Sequence, residues 1–414
     1  MRTYRELFRT PEFLPFFTTV SVQVAAQTAT GLALGTLVYA STGSPLLSAL
    51  AMFGPSLAQV AGALTLLSAA DRLPPRATLT GLALLFALGT GVQAVPGLPL
   101  WALFAVLLGL GVASSLGGGV RYGLLNEILP ERGFLLGRSV LNMSVGTMQI
   151  LGFAVGGVLV TALSARGTLL VGAGLYAVAA ALARFGLTAR PPRATGRASV
   201  RETWRTNAVL WSSAPRRSVY LALWVPNGLV VGCESLYIAY APAHAGLLFA
   251  CGALGMLAGD TLVGRFVPGR WRARLGSPLR LLLAAPYLVF ALNPALPVAV
   301  VAVVLASVGF SASLLLQERL MALTPKELSG HALGLSSSGM LAMQGVGAAV
   351  AGSVAQLTSP ATGMAAVAAL SLAVTLALAP GLRAGRAGRA GQGPGSPGRL
   401  HGDGSPPTKE TTPS

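Results

Sequence analysis

Charge is scarce in this chain, and negative charge scarcer still. Of 414 residues only 10% are charged, with 29 Lys and Arg against 12 Asp and Glu. Soluble domains carry roughly 25% charged residues, so a water-bathed globule of this length is excluded. Cysteine is almost missing. Cys233 and Cys251 support neither a disulfide framework nor a metal spacing, and both read as small buried hydrophobes. The three histidines, His244, His331 and His401, are scattered. No GxxxxGK[ST] phosphate loop, no HExxH pair and no cluster of aspartates is present. Those absences remove ATP hydrolysis, zinc chemistry and metal-dependent group transfer. The reading is therefore no enzyme, no cofactor and no metal.

What the chain has is apolar length and internal repetition. Hydrophobic residues make up 53% of it, and its mean hydropathy is +0.68. Apolar segments of about 20 residues suffice to cross a bilayer. Twelve are read here, near 13–39, 46–70, 77–95, 99–122, 139–163, 168–189, 219–241, 244–266, 277–292, 295–317, 331–357 and 361–380. The run after residues 1–9 is too long for a signal peptide and reads as the first span. Residues 148–157, MQILGFAVGG, match residues 343–352, MQGVGAAVAG, at six of ten positions and a constant offset of 195. Pro130 and Pro325 keep that offset. A repeat near half the folded length implies two related halves, an arrangement that in membranes places a substrate site between them.

The connections alternate. One set, at 41–45, 96–99, 164–167, 242–243, 293–294 and 359–360, holds a single basic residue, Arg166. The other set carries the remaining 28. Basic residues stay cytoplasmic during insertion, so both termini are expected inside. The net charge of +17 is thus a topology signal and not a nucleic-acid footprint. The expected organisation is a six-helix half at 1–189, a cytoplasmic linker with an interfacial helix at 190–218, a second six-helix half at 219–380, and a disordered cytoplasmic tail at 381–414. In the linker, Ser199 and Glu202 have capping-box spacing, and Val200, Trp204, Ala208 and Trp211 share a helical face.

After the second span stand Asp71, Arg72 and Arg76. With twelve spans, parallel halves and a long central loop, they resemble the G-x-x-x-D-R-x-x-x-R signature of the major facilitator superfamily, with Leu67 in place of its leading glycine. The second half has a degenerate echo at Gly264 and Arg265 that lacks the acid. On the fifth span, Gly152, Gly156 and Gly157 resemble the G-P-x-x-G-G element of exporters in that superfamily, with Phe153 replacing proline. Gly347 and Gly352 are their counterparts in the repeat, and small residues let helices pack closely in lipid. The resemblance implies alternating access by rocking of the halves, with the charged loop Asp71, Arg72, Arg76 and Arg265 as a gate. It also implies that spans one, four, seven and ten line a central cavity.

Polar groups inside spans mark the candidate site. Span seven carries Asn227, Glu234 and Tyr237 on one stripe, and Glu234 is the only acid placed well inside a span. It is read as the coupling or cation-recognition residue, against a structural hydrogen bond. Asp260 on span eight is a second proton candidate, against a structural pair. Gln23 and Gln27 on span one, with Ser307 and Ser311 on span ten, are cavity candidates. Arg121 with Glu127, and Glu318 with Arg319, are read as cytoplasmic ion-pair formers. The expected protein is an all-α, multi-pass, monomeric plasma-membrane transporter of small molecules. Protons are its expected coupling ion, the bilayer and the substrate its only partners, and export of amphipathic or drug-like compounds its leading function. A metabolite uptake permease and a non-transporting membrane scaffold or sensor are the alternatives.

Overall fold

The computed structural model describes residues 4–70, 73–129, 131–192 and 200–390. Its elements are helices: α1 (Tyr4–Phe8), α2 (Phe13–Thr42), α3 (Pro45–Ala70), α4 (Pro75–Gln93), α5 (Leu100–Ile128), α6 (Glu131–Gly186), α7 (Val200–Ser212), α8 (Ala214–Ser235), α9 (Tyr237–Tyr240), α10 (Ala245–Thr261), α11 (Gly269–Leu282), α12 (Leu296–Gly309), α13 (Ala312–Ala322), α14 (Ser329–Leu357) and α15 (Pro360–Ala390). The chain is an all-α, multi-pass membrane protein. Ten helical stretches among the described residues are long and apolar enough to cross a bilayer. α2 is not among the ten, because Gln23, Gln27 and its threonines lower its hydropathy, yet at 30 residues it is amply long.

Helix ends fall where local chemistry stops them. α2 ends on Gly43, whose φ of 64° places it in the left-handed region while its amide donates to the Tyr39 carbonyl at 2.8 Å, the usual αL termination. α6 is continuous by hydrogen bonding but turns at Ser164, with φ of 70°. There the Ser164 hydroxyl accepts from the Gly167 amide at 3.4 Å, which is N-cap geometry for a new helix. The apolar part of α6 runs 51 residues, about 75 Å of helix at 1.5 Å per residue, and the turn divides it near the middle. The stretch Ala285–Leu292 is a 3-10 helix entered through Pro286, which has no amide to donate to an α-helical bond.

Two features at the ends of the second half bear on the sequence reading. α15 continues to Ala390, past residue 380 where the tail was expected, because Ala and Arg are good helix formers. Residues 391–414 lie outside the described residues, as does the expected cap at Ser199. The linker helix α7, expected as an interfacial helix, packs against α8 and α14 of the second half. Trp211 stacks on Trp224 with centroids 5.5 Å apart, and Leu210 is buried, while Trp204 is 58% exposed.

Small residues set the helix crossings. α2 packs along α6, α8 lies between α14 and α15, and the two halves meet where α3 crosses α14 and α6 crosses α10. A Cβ on Gly152 would lie 2.8 Å from Thr28 Cβ, and one on Gly156 3.0 Å from Ala29 Cα. Across the halves, a Cβ on Gly157 would lie 3.0 Å from Gly246 Cα, and one on Gly352 2.7 Å from Leu46 Cα. Within the second half, a Cβ on Gly347 would collide with the Gly228 carbonyl. Gly347→Leu should therefore lower the melting temperature of the detergent-solubilised protein, since overpacking costs about 1–3 kcal/mol. Gly174→Leu, where a Cβ meets open space, should leave melting unchanged. Equal melting of both variants would remove the crossing from the account.

Candidate functional site

The halves are sealed at the end bearing the nearly uncharged connections. There the Ser44 hydroxyl donates to Gln356 Oε1 at 2.7 Å, and the Tyr39 hydroxyl reaches the Ala239 carbonyl at 3.5 Å. Phe153 stacks on Phe249 with centroids 4.7 Å apart. Ile238 touches α2 at Gly35, where a Cβ would lie 2.7 Å from its Cδ1.

Below that contact the facing surfaces part. On α2, Gly31 is one turn from Gly35 and has nothing within 4 Å of a built Cβ. Gln27, another turn on, is exposed. Its neighbours Ala25, Thr28 and Ala29 pack on α6, so the Gln27 side of α2 is turned away from that helix. On α8, every residue from 226 to 238 is buried except Glu234, which is partly exposed. Glu234 lies one turn before Ile238 and so shares the side of α8–α9 that faces the first half. No cation pairs with Glu234 among the described residues. It sits beside the interruption at Leu236, between α8 and α9, and discontinuous helices at bilayer depth are where transporters expose backbone polarity.

One turn further along α2 from Gln27 is Gln23, whose Oε1 accepts from Arg121 Nη2 at 3.3 Å. Arg121 belongs to α5 seven residues before its end, beside Gly118, which meets open space. Its Nε is buried without a hydrogen-bond partner, and no carboxylate pairs with it among the described residues. Arg121 thus bonds a glutamine of α2 where a carboxylate partner was expected, on a helix whose apolar stretch runs on to Ile128. A charged group at this depth is expensive and marks function by default.

The other candidates are placed differently. Asn227 donates to the Leu223 carbonyl at 2.5 Å and to Ser313 Oγ at 3.1 Å, within the second half. The Tyr237 hydroxyl bonds that of Tyr287, and both rings are buried. Ser307 is buried against Gly252 and Gly255 of α10. Ser311 is buried and donates to the Val308 carbonyl at 2.7 Å. All four are enclosed: Asn227 and Tyr237 are satisfied across helices, Ser311 by its own turn, and Ser307 Oγ is buried without a hydrogen-bond partner among the described residues. Of the expected cavity set Gln27, with Gln23 behind it, remains on the facing surfaces, opposite the coupling candidate Glu234. Asp260 is half-buried with no ion-pair partner among the described residues, and Arg265 is exposed beyond it.

At the basic end, ion pairs join helices of the same half. Glu12 accepts from Arg190 at 2.8 Å, and Arg190 also reaches Glu127 at 3.4 Å. The Thr188 hydroxyl donates to Glu12 at 2.7 Å, and Arg76 donates to the Leu187 carbonyl at 3.4 Å. Asp71 and Arg72 lie outside the described residues. In the second half Glu318 pairs with Arg272 at 2.9 Å. The hubs Glu12, Arg190 and Arg272 escaped sequence reasoning. The available signal was charge at helix ends, such as Glu12 between Pro11 and the first span. Burial opposes ionisation of Glu12, but hydrogen bonds from Thr188 and the Arg190 cation outweigh it and hold the carboxyl below its ordinary value.

The chain folds as a multi-pass secondary transporter. The family model of the Major Facilitator Superfamily matches residues 16–317, more than half of its length, and the chain belongs to that superfamily. No curated protein matches it by sequence. Among solved structures it is similar to the nucleoside transporter NupG, at 13% identity and a TM-score of 0.70, covering 89% of this chain and 99% of that one. It is also similar to a POT family transporter in complex with a thioalcohol-conjugated peptide, at 13% identity, a TM-score of 0.69, and 88% and 95% coverage. A bacterial homologue of the human lysosomal transporter Spinster, inward-facing and unoccupied, matches at 13% identity, a TM-score of 0.67 and 93% of both chains. The likeness is one of fold.

Because its folded pKa is depressed, Glu12 contributes stability at neutral pH that is lost as pH falls through that lowered value. Thermal melting of the wild type should decline on acidification more steeply than that of Glu12→Gln. Parallel pH profiles would mean that the Glu12–Arg190 contact carries no stability.

Proposed function

We propose that the chain is a proton-coupled transporter of a polar metabolite, working in uptake, with Glu234 as the proton-binding residue and Arg121 with Gln23 and Gln27 as the ligand-binding wall. The carrying observation is the isolation of Glu234 as the one accessible side chain in the buried stretch 226–238, facing the first half with no cation paired to it among the described residues. A lone carboxylate in such a place alternates between protonated and charged forms as access changes. Arg121 supplies the complementary preference. An ionised guanidinium whose one hydrogen-bond partner among the described residues is neutral favours a ligand that brings an anionic or strongly polar group. That polarity speaks for a metabolite over a drug-like compound. The solved transporters of like fold named for nucleosides and peptides agree with it. Export of amphipathic compounds is the second reading, favoured by the glycine-rich segment at Gly152, Gly156 and Gly157.

In this reading α2 completes a set of twelve spans, with α6 counted as two. The basic connections face the cytoplasm in the plasma membrane, and a monomer suffices. The sealed uncharged end makes the conformation inward-facing. Asp260, and the loop of Asp71, Arg72 and Arg76, act in gating as the halves rock.

The test uses purified protein in liposomes with an imposed inward proton gradient and a panel of labelled nucleosides, dipeptides and organic acids. One class should accumulate. Glu234→Gln should abolish gradient-driven accumulation while leaving exchange of labelled for unlabelled ligand intact. Arg121→Gln should raise the apparent KM about tenfold to a hundredfold, the worth of a hydrogen bond to a charged group. Full gradient-driven accumulation in Glu234→Gln would refute the coupling assignment, and accumulation only of apolar cations would return the export reading.

A further inference from the structure

At the uncharged end, where the halves meet, there is a cavity of ≈ 330 Å³. Its walls come from both halves: α2 and α6 on one side, α10 and the turn Pro242–His244 on the other. The glycine crossing creates it. Gly157 lies against Gly246, and neither has a side chain to fill the angle between α6 and α10. One turn outward from that contact stand Thr161 on one wall and Pro242 on the other. The cavity is separate from the surfaces around Glu234 and Gln27, because its inner lining residues Ala154 and Ala250 adjoin the stacked Phe153 and Phe249. We propose that this cavity binds a neutral amphiphile with a hydroxyl head, and that the bound molecule bridges the halves and holds the outer end shut.

The walls decide the chemistry. Leu32, Val158, Val160 and Leu247, with small Ala and Gly between them, form an apolar lining. No Asp, Glu, Lys or Arg is among the described residues that line it, so a carboxylate or ammonium head would lose its water without gaining a partner. Two hydroxyls face the same space. Thr36 donates to the Leu32 carbonyl at 2.8 Å, and Thr161 to the Val158 carbonyl at 2.8 Å. Each proton is thus committed to its own helix, and each oxygen is left as an acceptor. A neutral head that donates, an alcohol, is what such a wall takes. The third polar side chain, His244, is exposed at the rim. The volume is roughly twentyfold what one water needs, and it reaches the range of small-molecule pockets, about 300–1,000 Å³. Entry is from the bilayer. Val158 is 65% and Leu247 46% exposed, both inside membrane-crossing stretches, so the mouth opens on lipid tails. A ligand that fits a cavity built by both halves in one conformation stabilises that conformation. Parting of α6 from α10 would take the cavity apart.

The probe is 1-octanol carrying a diazirine, photolysed with the full chain in liposomes, and labelled residues are mapped by peptide mass spectrometry. Labelling should saturate within 154–161 and 242–250. Excess 1-octanol should suppress it, while octane and octanoate at the same membrane concentration should leave most of it. Thr161→Val removes one hydroxyl and keeps the shape. It should weaken suppression by octanol about threefold to tenfold, the worth of a neutral hydrogen bond. Val158→Trp, which fills the mouth, should abolish saturable labelling. This readout needs no transported ligand and so stands or falls apart from the function proposed above. The clamp rests on the rocking of that proposal: octanol should lower the maximal exchange rate at unchanged KM, and Val158→Trp should escape the effect. Labelling that rises in proportion to probe and ignores Val158→Trp would overturn the site. Equal suppression by octane would overturn the hydroxyl head, and equal suppression by octanoate the neutral one. A raised KM at unchanged maximal rate would put the molecule in the transport path and overturn the clamp.

Discussion

Backbone contact between helices is the constraint on which everything else in this structure rests. Inside a bilayer apolar surface gains nothing by leaving lipid for protein, so association depends on close packing and on hydrogen bonds. Here the close packing comes from glycine. Within the halves it fixes α2 on α6 through Gly152 and Gly156, and α8 on α14 through Gly228 and Gly347. Between the halves it brings Gly157 against Gly246 and Gly352 against Leu46. Beside these glycine contacts the halves also meet through larger side chains, Phe153 on Phe249 and Ile238 on Gly35.

The polar groups divide according to that packing. Those caught inside one half, such as Asn227 with Ser313 and Tyr237 with Tyr287, bond each other and stiffen the half. Those on the parting surfaces are left with few partners. Glu234 on one side and Arg121 with Gln23 on the other are held by opposite halves, and the proposed coupling rests on that placement. The ion pairs Glu12–Arg190 and Arg272–Glu318 each stay within a half and let it move as a unit.

Much of this was legible in the sequence, because membrane spans are written in composition. The alternation of charged and uncharged connections and the offset of 195 between repeats gave the helical order, and Ser164 turns where an uncharged connection was expected. Glu234 stood out as a lone acid in an apolar run. Side-chain direction was harder to read. Ser307, Ser311, Asn227 and Tyr237 share spans with the cavity, but helical spacing alone does not tell which side of a helix meets a neighbour and which meets open space. Arg121 was assigned to a helix end because α5 was expected to stop near residue 122, whereas it runs to Ile128. Seven residues of helix follow that cation, and the proposed polar substrate rests on its place there.

The central claim is that the two halves rock about glycine crossings, with the sealed end seen here as one of two states. Paired spin labels report it directly in liposomes. One pair goes on Ser41 and Thr358 at the uncharged end, the other on Asn126 and Ala322 at the basic end. Lowering the pH in the presence of transported ligand should lengthen the first distance and shorten the second in the same population. Distances that both stay fixed, or that change together, would contradict the account.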